Sequence, residues 1–228
     1  MYCFCFLAYG DEHIDEFNIV AKSLLKLNPE YKIIVGTDSE DKIIDGVYKI
    51  IKMDEPFNYN LKRIVIKEAF VDFNTLIFLD TDIFIRNGID FSVLDNLEPC
   101  IYADEIVDME QLKDVYGSLE YMKEYLDTLR SIYSDDLYLI HEGLFVLNID
   151  DINVKNEFIE NWKTIDTQTR VHQKLAYNLP GAMEGLIIWI ALKKSNIHIK
   201  LADGVLRKMF NLIAHFGSRN RKMEKTLI

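Results

Sequence analysis

Two carboxylates one residue apart, Asp80-Thr81-Asp82, follow five residues that are apolar or β-prone, Thr75-Leu76-Ile77-Phe78-Leu79. On an extended chain, side chains two residues apart point the same way. Two carboxylates held on one side at the end of a buried strand repel each other unless a cation lies between them. Oxygen donors of this kind suit Mg2+ or Mn2+. The run before the pair reads as a strand covered on both faces, and in an open α/β sheet the C-terminal ends of such strands face the crevice where ligands bind. The triplet alone is a common pattern in an aspartate-rich chain, and a solvated acidic turn would carry the same residues. Its surroundings decide between the two.

Those surroundings read as alternating strands and helices. Tyr2 to Tyr9 is a continuous apolar run of strand length, stopped by Gly10-Asp11. Ile14, Phe17, Val20, Ala21, Leu24, Leu25 and Leu27 then repeat at helical spacing, until Asn28-Pro29 ends the helix. Tyr31 to Gly36 is a second strand, ending in Thr37-Asp38-Ser39, so the chain opens with a strand–helix–strand unit of right-handed crossover length. Val47 to Met53 is a weaker strand and Leu61 to Val71 a helix. After the aspartate pair, Ile83-Phe84-Ile85 resumes as a strand and Asn87-Gly88 turns the chain. Leu112, Val115, Tyr116, Leu119, Met122, Leu126, Leu129 and Tyr133 predict a helical insertion across 106–134, with Gly117 as a break and an acidic outer face. This stripe is expected to pack on its own core, with a cap over an acceptor cleft or a homodimer seam as the alternatives. Leu137 to Asn148 reads as a strand pair or bent strand. A helix runs from near Asp151 to Trp162 and another from Gly181 to Lys194; short strands follow at His198 to Leu201 and at Leu212 to Gly217. Ser218 to Ile228 is a basic tail. No repeat or linker interrupts the pattern, so residues 1–228 are expected to form a single domain.

Composition narrows the function classes. The 228 residues are 49% hydrophobic and 28% charged, with 10 Gly and 4 Pro, which supports a packed core and excludes collagen-like or low-complexity chains. With 37 acidic and 26 basic residues the net charge is −11, which argues against nucleic acid as a general partner and against an anionic membrane surface. Cys3, Cys5 and Cys100 are too few for a disulfide framework and point to a reducing, cytoplasmic compartment. Cys3 and Cys5 share one strand face and read as small buried hydrophobes rather than a metal or redox pair. The opening MYCFCFLAYG is apolar, short and without a basic leader, so neither a secretory signal nor a membrane span is expected there.

Several stretches, taken in order, resemble the retaining GT-A glycosyltransferases, and glycosyltransferase family 8 most closely. Leu76 to Arg86 resembles the family's D-x-D segment. Leu7-Ala8-Tyr9 with the acidic loop after it resembles the first strand and its nucleotide-contacting loop, and Lys62-Arg63 resembles the basic element that helps hold the donor. Gly143-Leu144-Phe145-Val146-Leu147-Asn148 resembles the G-V-x-L-x-N strand. His215-Phe216-Gly217 resembles the histidine–glycine element that supplies a third metal ligand. The likeness covers about residues 2–104 and 137–222.

The resemblance implies a Rossmann-like mixed sheet flanked by helices, the GT-A (nucleotide-diphospho-sugar transferase) form of the α/β class. It also implies transfer of a hexose from a nucleotide-sugar, a UDP-sugar by analogy, to an acceptor hydroxyl with retention of configuration. Asp80, Asp82 and His215 would hold Mn2+ (or Mg2+), a mixed oxygen and nitrogen set that favours Mn2+. Ala8, Tyr9, Asp38, Lys62, Arg63, Asp80, Thr81, Gly217 and Arg221 would contact the donor nucleotide, with Arg219 and Lys222 on the same closing tail. Glu184, His141 and Glu142 would be the catalytic candidates, lining the donor sugar. His141-Glu142 stand where the family usually places Asn two residues before the glycine, and Met183-Glu184 where it has an acidic pair and an amide. The acceptor would be a glycan, lipid or protein. Two rivals remain: a catalytically inactive nucleotide-sugar binding module, and a D-x-D phosphatase or phosphotransferase. The second rival expects Thr or Val where this chain has Phe84, and expects the motif near the N-terminus.

Overall fold

The computed structural model describes residues 1–86, 88–108, 126–127, 129–131, 133, 136–176 and 182–215, with backbone alone at 59, 170–176, 182–183 and 214–215. Four parallel strands, β1 (Tyr2–Ala8), β2 (Lys32–Thr37), β3 (Lys49–Lys52) and β4 (Thr75–Leu79), lie in the spatial order β3-β2-β1-β4. Beyond β4 the sheet continues through strands introduced later in the chain. These are β9 (Leu144–Asn148), β6 (Cys100–Ala103) and β10 (Ile199–Leu201), which complete a seven-stranded sheet. Among the seven, β9 runs antiparallel to both neighbours. Two small ribbons stand apart: β5 (Ile83–Ile85) with β11 (Ile213–His215), and β7 (Ile106–Asp108) with β8 (Tyr138–Ile140).

The sheet is covered on both faces, which explains why its central strands are apolar without alternation: all five residues of β4 and all five of β9 are buried. On one face lies helix α1 (Asp11–Leu27), whose Ile14, Phe17, Val20, Ala21 and Leu24 meet Phe4, Phe6, Ile33, Val35, Ile77 and Leu79. Helix α5 (Gly204–Asn211) joins this face through Leu206, Met209 and Phe210. On the other face lie α2 (Lys62–Ala69), α3 (Ile152–Ala176) and α4 (Ala182–Lys194). Every residue of α4 from Leu186 to Leu192 is buried, so this helix is apolar all round and forms the centre of its layer. Phe78 and Phe145 stack between the layers at 5.3 Å. Cys3 and Cys5 are both fully buried, with their sulfurs 3.8 Å apart, and serve as core residues. Among the described residues no helix is long and apolar enough to cross a membrane.

The structure corrects the reading of 106–134. Ile106–Asp108 is strand β7, not the start of a helix, because β-branched Ile106 and Val107 find ladder partners in Leu139 and Ile140. Residues 126–127 and 129–131 are helical, while 109–125 and the homodimer seam expected there lie outside the described residues. The pair within 137–148 also differs: β8 and β9 do not bond to each other but join different sheets. Helix α3 runs well past Trp162, to Ala176. Strand β6 and helix α5 were not expected. Cys100–Ala103 is short and follows Pro99, and it becomes a strand because β9 and β10 flank it.

Candidate functional site

The crevice opens where the strand order reverses, between β1 and β4. In a doubly wound sheet this is where the loops after neighbouring strands separate to opposite faces. Gly10, at φ 79°, turns the chain from β1 into α1, a conformation that glycine adopts without a Cβ penalty. Its N–H donates to the Asp38 carboxylate at 3.0 Å, which ties the loop after β1 to the end of β2. The hydroxyl of Tyr9 donates to the Glu55 carbonyl, and its ring meets Phe57 at 5.5 Å. Ala8 is fully buried and packs within the core layer of α1, so it shapes the strand end without offering surface to a ligand.

Asp80 follows β4 directly. Its N–H donates to the Gly143 carbonyl at 2.9 Å, so the antiparallel β9 brings His141-Glu142-Gly143 to the same edge. The Asp80 carboxylate meets the Lys62 ammonium at 2.9 Å. Lys62 sits at the start of α2 and is buried, with its Nζ also 3.1 Å from Glu184 of α4 and donating to the Glu142 carbonyl at 3.3 Å. The Phe78 ring lies 5.0 Å beneath it. Lys62 thus joins the D-x-D segment to α4 rather than standing at the protein surface. Arg63, its helix neighbour, is half-buried.

Charge explains the protonation of this cluster. Burial alone would lower the Lys62 pKa, but Asp80, Glu184 and Glu142 together hold it above its ordinary value. Burial pushes Glu184 up to about 8, against the pull of Lys62 and helped by Glu142 and Asp80. Asp80 is the nearer of the two acids to the Lys62 ammonium, and burial favours the neutral form of Glu184. Glu184 is 3% exposed, and its Oε1 has no hydrogen-bond partner among the described residues.

Thr81 turns to the opposite side, toward α1, where its hydroxyl donates to the Glu16 carboxylate at 3.0 Å. His13 Nδ1 lies 3.1 Å from the same Glu16 oxygen and 3.2 Å from the Thr81 hydroxyl. Neither Glu16 nor His13 was singled out from the sequence. The available signal was their spacing of three on α1, beside the buried Phe17. Asp82 immediately precedes β5, and the antiparallel register of β11 places His215 opposite Ile83, one residue along the chain from Asp82. The side chains of His215 and Met183 lie outside the described residues, as do Gly217 and Arg221 entirely. Among the described residues no three His, Cys, Asp or Glu side chains gather closely enough to hold a metal ion. The pairing of β5 with β11 brings the backbone of His215 opposite Ile83, next in the chain to Asp82.

No protein-family model and no curated protein matches the chain. Solved structures do. The galactosyltransferase LgtC, solved in complex with donor and acceptor sugar analogs, is 17% identical over 89% of this chain and 73% of its own, with a TM-score of 0.52. The glycosyltransferase GlyE of Streptococcus pneumoniae TIGR4 is 12% identical over 99% of this chain and 57% of its own, with a TM-score of 0.57. At these identities the likeness is one of architecture. The mostly parallel sheet, its helical layers and its antiparallel β9 are the GT-A glycosyltransferase fold.

Proposed function

We propose that this chain is a metal-dependent retaining glycosyltransferase that moves a hexose from a UDP-sugar to an acceptor hydroxyl. One observation carries the reading: β11 pairs with β5 in the register that sets His215 beside the Asp80-Thr81-Asp82 turn. Two carboxylates and an imidazole suit Mn2+, with Mg2+ as the alternative. Asp80, Asp82 and His215 would hold the ion, which when bound would offset charge on a diphosphate leaving group. Asp38 and Tyr9 stand at the end of the crevice suited to base and ribose, and Lys62 and Arg63 supply positive charge behind the phosphates. Glu184, with Glu142 and His141 on the adjoining edge, would serve the sugar end, its Oε1, without a hydrogen-bond partner among the described residues, accepting from a sugar hydroxyl. Gly217 and Arg221 belong to the tail that would close over the diphosphate. No side chain is assigned as general base: the departing phosphate oxygen takes the acceptor proton on the same face, and the protein positions and stabilises. LgtC was solved with donor and acceptor sugar analogs, which supports a nucleotide-sugar donor and a glycan acceptor here.

The near-complete burial of Glu184 favours a second reading, a nucleotide-sugar binding module without turnover. A panel of nucleotide-sugars with Mn2+, read by UDP release, separates the two. Release from a UDP-sugar is expected. Absence of release from every donor with every common divalent ion rejects the transferase. Asp82→Ala is expected to abolish Mn2+-dependent UDP binding and release together; unchanged binding by calorimetry would remove Asp82 from the site.

A further inference from the structure

The middle residue of the aspartate pair has its own anchor. Chain alternation sends Leu76 and Phe78 to the α2–α4 face and Ile77 and Leu79 to the α1 face. The pattern continues past the strand end, with Asp80 reaching Lys62 on the first face and Thr81 reaching Glu16 on the second. Thr81 is 5% exposed, so its hydroxyl needs a partner inside the protein, and an apolar side chain would have filled this place beside α1 at no polar cost. Instead α1 turns a carboxylate inward, with His13 against the same oxygen. A hydroxyl donating to a carboxylate makes a directional, charge-assisted bond that an apolar contact does not supply.

We infer that Glu16 and His13 are positioning residues for the aspartate pair, acting through Thr81. The inference rests on the proposed metal site. The last bond to the large sheet is that from the Asp80 N–H to the Gly143 carbonyl, and ribbon pairing resumes at Ile83, so among the described residues no ladder of the large sheet reaches Thr81 itself. Rotation at Thr81 would swing Asp80 and Asp82 relative to each other. Two opposed anchors prevent it: Lys62 holds Asp80 from one side of the sheet, and Glu16 holds Thr81 from the other. A ligand pair fixed in this way loses less freedom when it takes up an ion, the usual role of groups that orient metal ligands from behind.

The test titrates Mn2+ by calorimetry at saturating UDP, using the full chain, with thermal melting of the metal-free protein recorded alongside. Thr81→Val keeps the shape and removes the hydroxyl; Thr81→Ser keeps the hydroxyl. Thr81→Val and Glu16→Ala are expected to weaken Mn2+ affinity about tenfold or more, and Thr81→Ser less than about twofold. Wild-type Mn2+ affinity in Thr81→Val, or equal losses in Thr81→Val and Thr81→Ser, would overturn the inference while leaving the metal site intact. If the unmodified chain binds no UDP with Mn2+, the proposed function fails first and the positioning role falls with it.

Discussion

Glu184 is the residue whose environment departs furthest from what its letter suggests. A glutamate on an apolar helix reads as a surface or ligand-facing group, yet α4 carries it into a cluster with one lysine and two other acids. Burial disfavours the charged form of Glu184, and the neighbouring acids Glu142 and Asp80 add to that effect against the pull of Lys62. The effect on stability has a definite sign. The ordinary pKa is 4.5 and the folded value about 8, so between these the folded protein binds a proton that the unfolded chain has released. The stabilisation is complete below about pH 4.5 and is lost as the pH rises toward 8. Glu184→Gln keeps the neutral shape and cannot ionise. Its melting temperature is expected to fall less than that of the wild type between roughly pH 5 and pH 8. Parallel melting curves for the two proteins would contradict the assignment. The sequence reading names Glu184, Lys62, Asp80 and Glu142 separately, but spacing along a chain says nothing of distances between residues 62, 80, 142 and 184. Their meeting comes from α2, β4, β9 and α4 converging at one edge.

Element packing sets how closely that edge can be assembled. Gly185, next to Glu184, lets α4 press against β8: a Cβ there would sit 2.1 Å from the Ile140 carbonyl oxygen and 3.1 Å from a Glu142 carboxylate oxygen. In a free helix Gly→Ala is worth up to about 1 kcal/mol in favour of Ala. Here the clash is with backbone, which has little room to yield, and overpacking of this kind costs about 1–3 kcal/mol. Gly185→Ala is expected to lower the melting temperature by several degrees, at about 2–4 °C per kcal/mol for a chain of this size. An unchanged or higher melting temperature would mean that α4 moves freely away from β8. Elements with a strong local pattern are readable in advance. β4 appears at Thr75–Leu79 as its continuous apolar run requires, and α1 follows its spacing of three and four. β6, β7 and α5 have only three to eight residues each, too few for a period to emerge. Their state is settled by neighbours: β6 by the open edge of β9, β7 by β8, and α5 by the apolar layer beneath Leu206, Met209 and Phe210.

For the molecule as a whole, charge selects partners and topology selects the place of contact. A net charge of −11 disfavours polyanions across the surface. Duplex DNA labelled for fluorescence anisotropy is expected to show no binding at physiological salt; a salt-dependent rise would reverse this. A small anion reached through a metal ion is a different case, since two of the carboxylates would then face a cation. The sequence by itself determined the alternating α/β class, the buried strand and the carboxylate pair at its end. Those are local properties, written in side-chain type and period. Only the tertiary structure decided that β9 runs antiparallel beside β4, that Lys62 is an internal cation and not a surface one, that Thr81 leans on α1, and that β11 returns His215 to the aspartate pair. Three of these join residues more than sixty positions apart, and Lys62, eighteen positions from Asp80, also reaches Glu184 much farther along the chain. Such contacts depend on which strand edges and helix faces remain open once the others have paired, and no window of sequence contains that information.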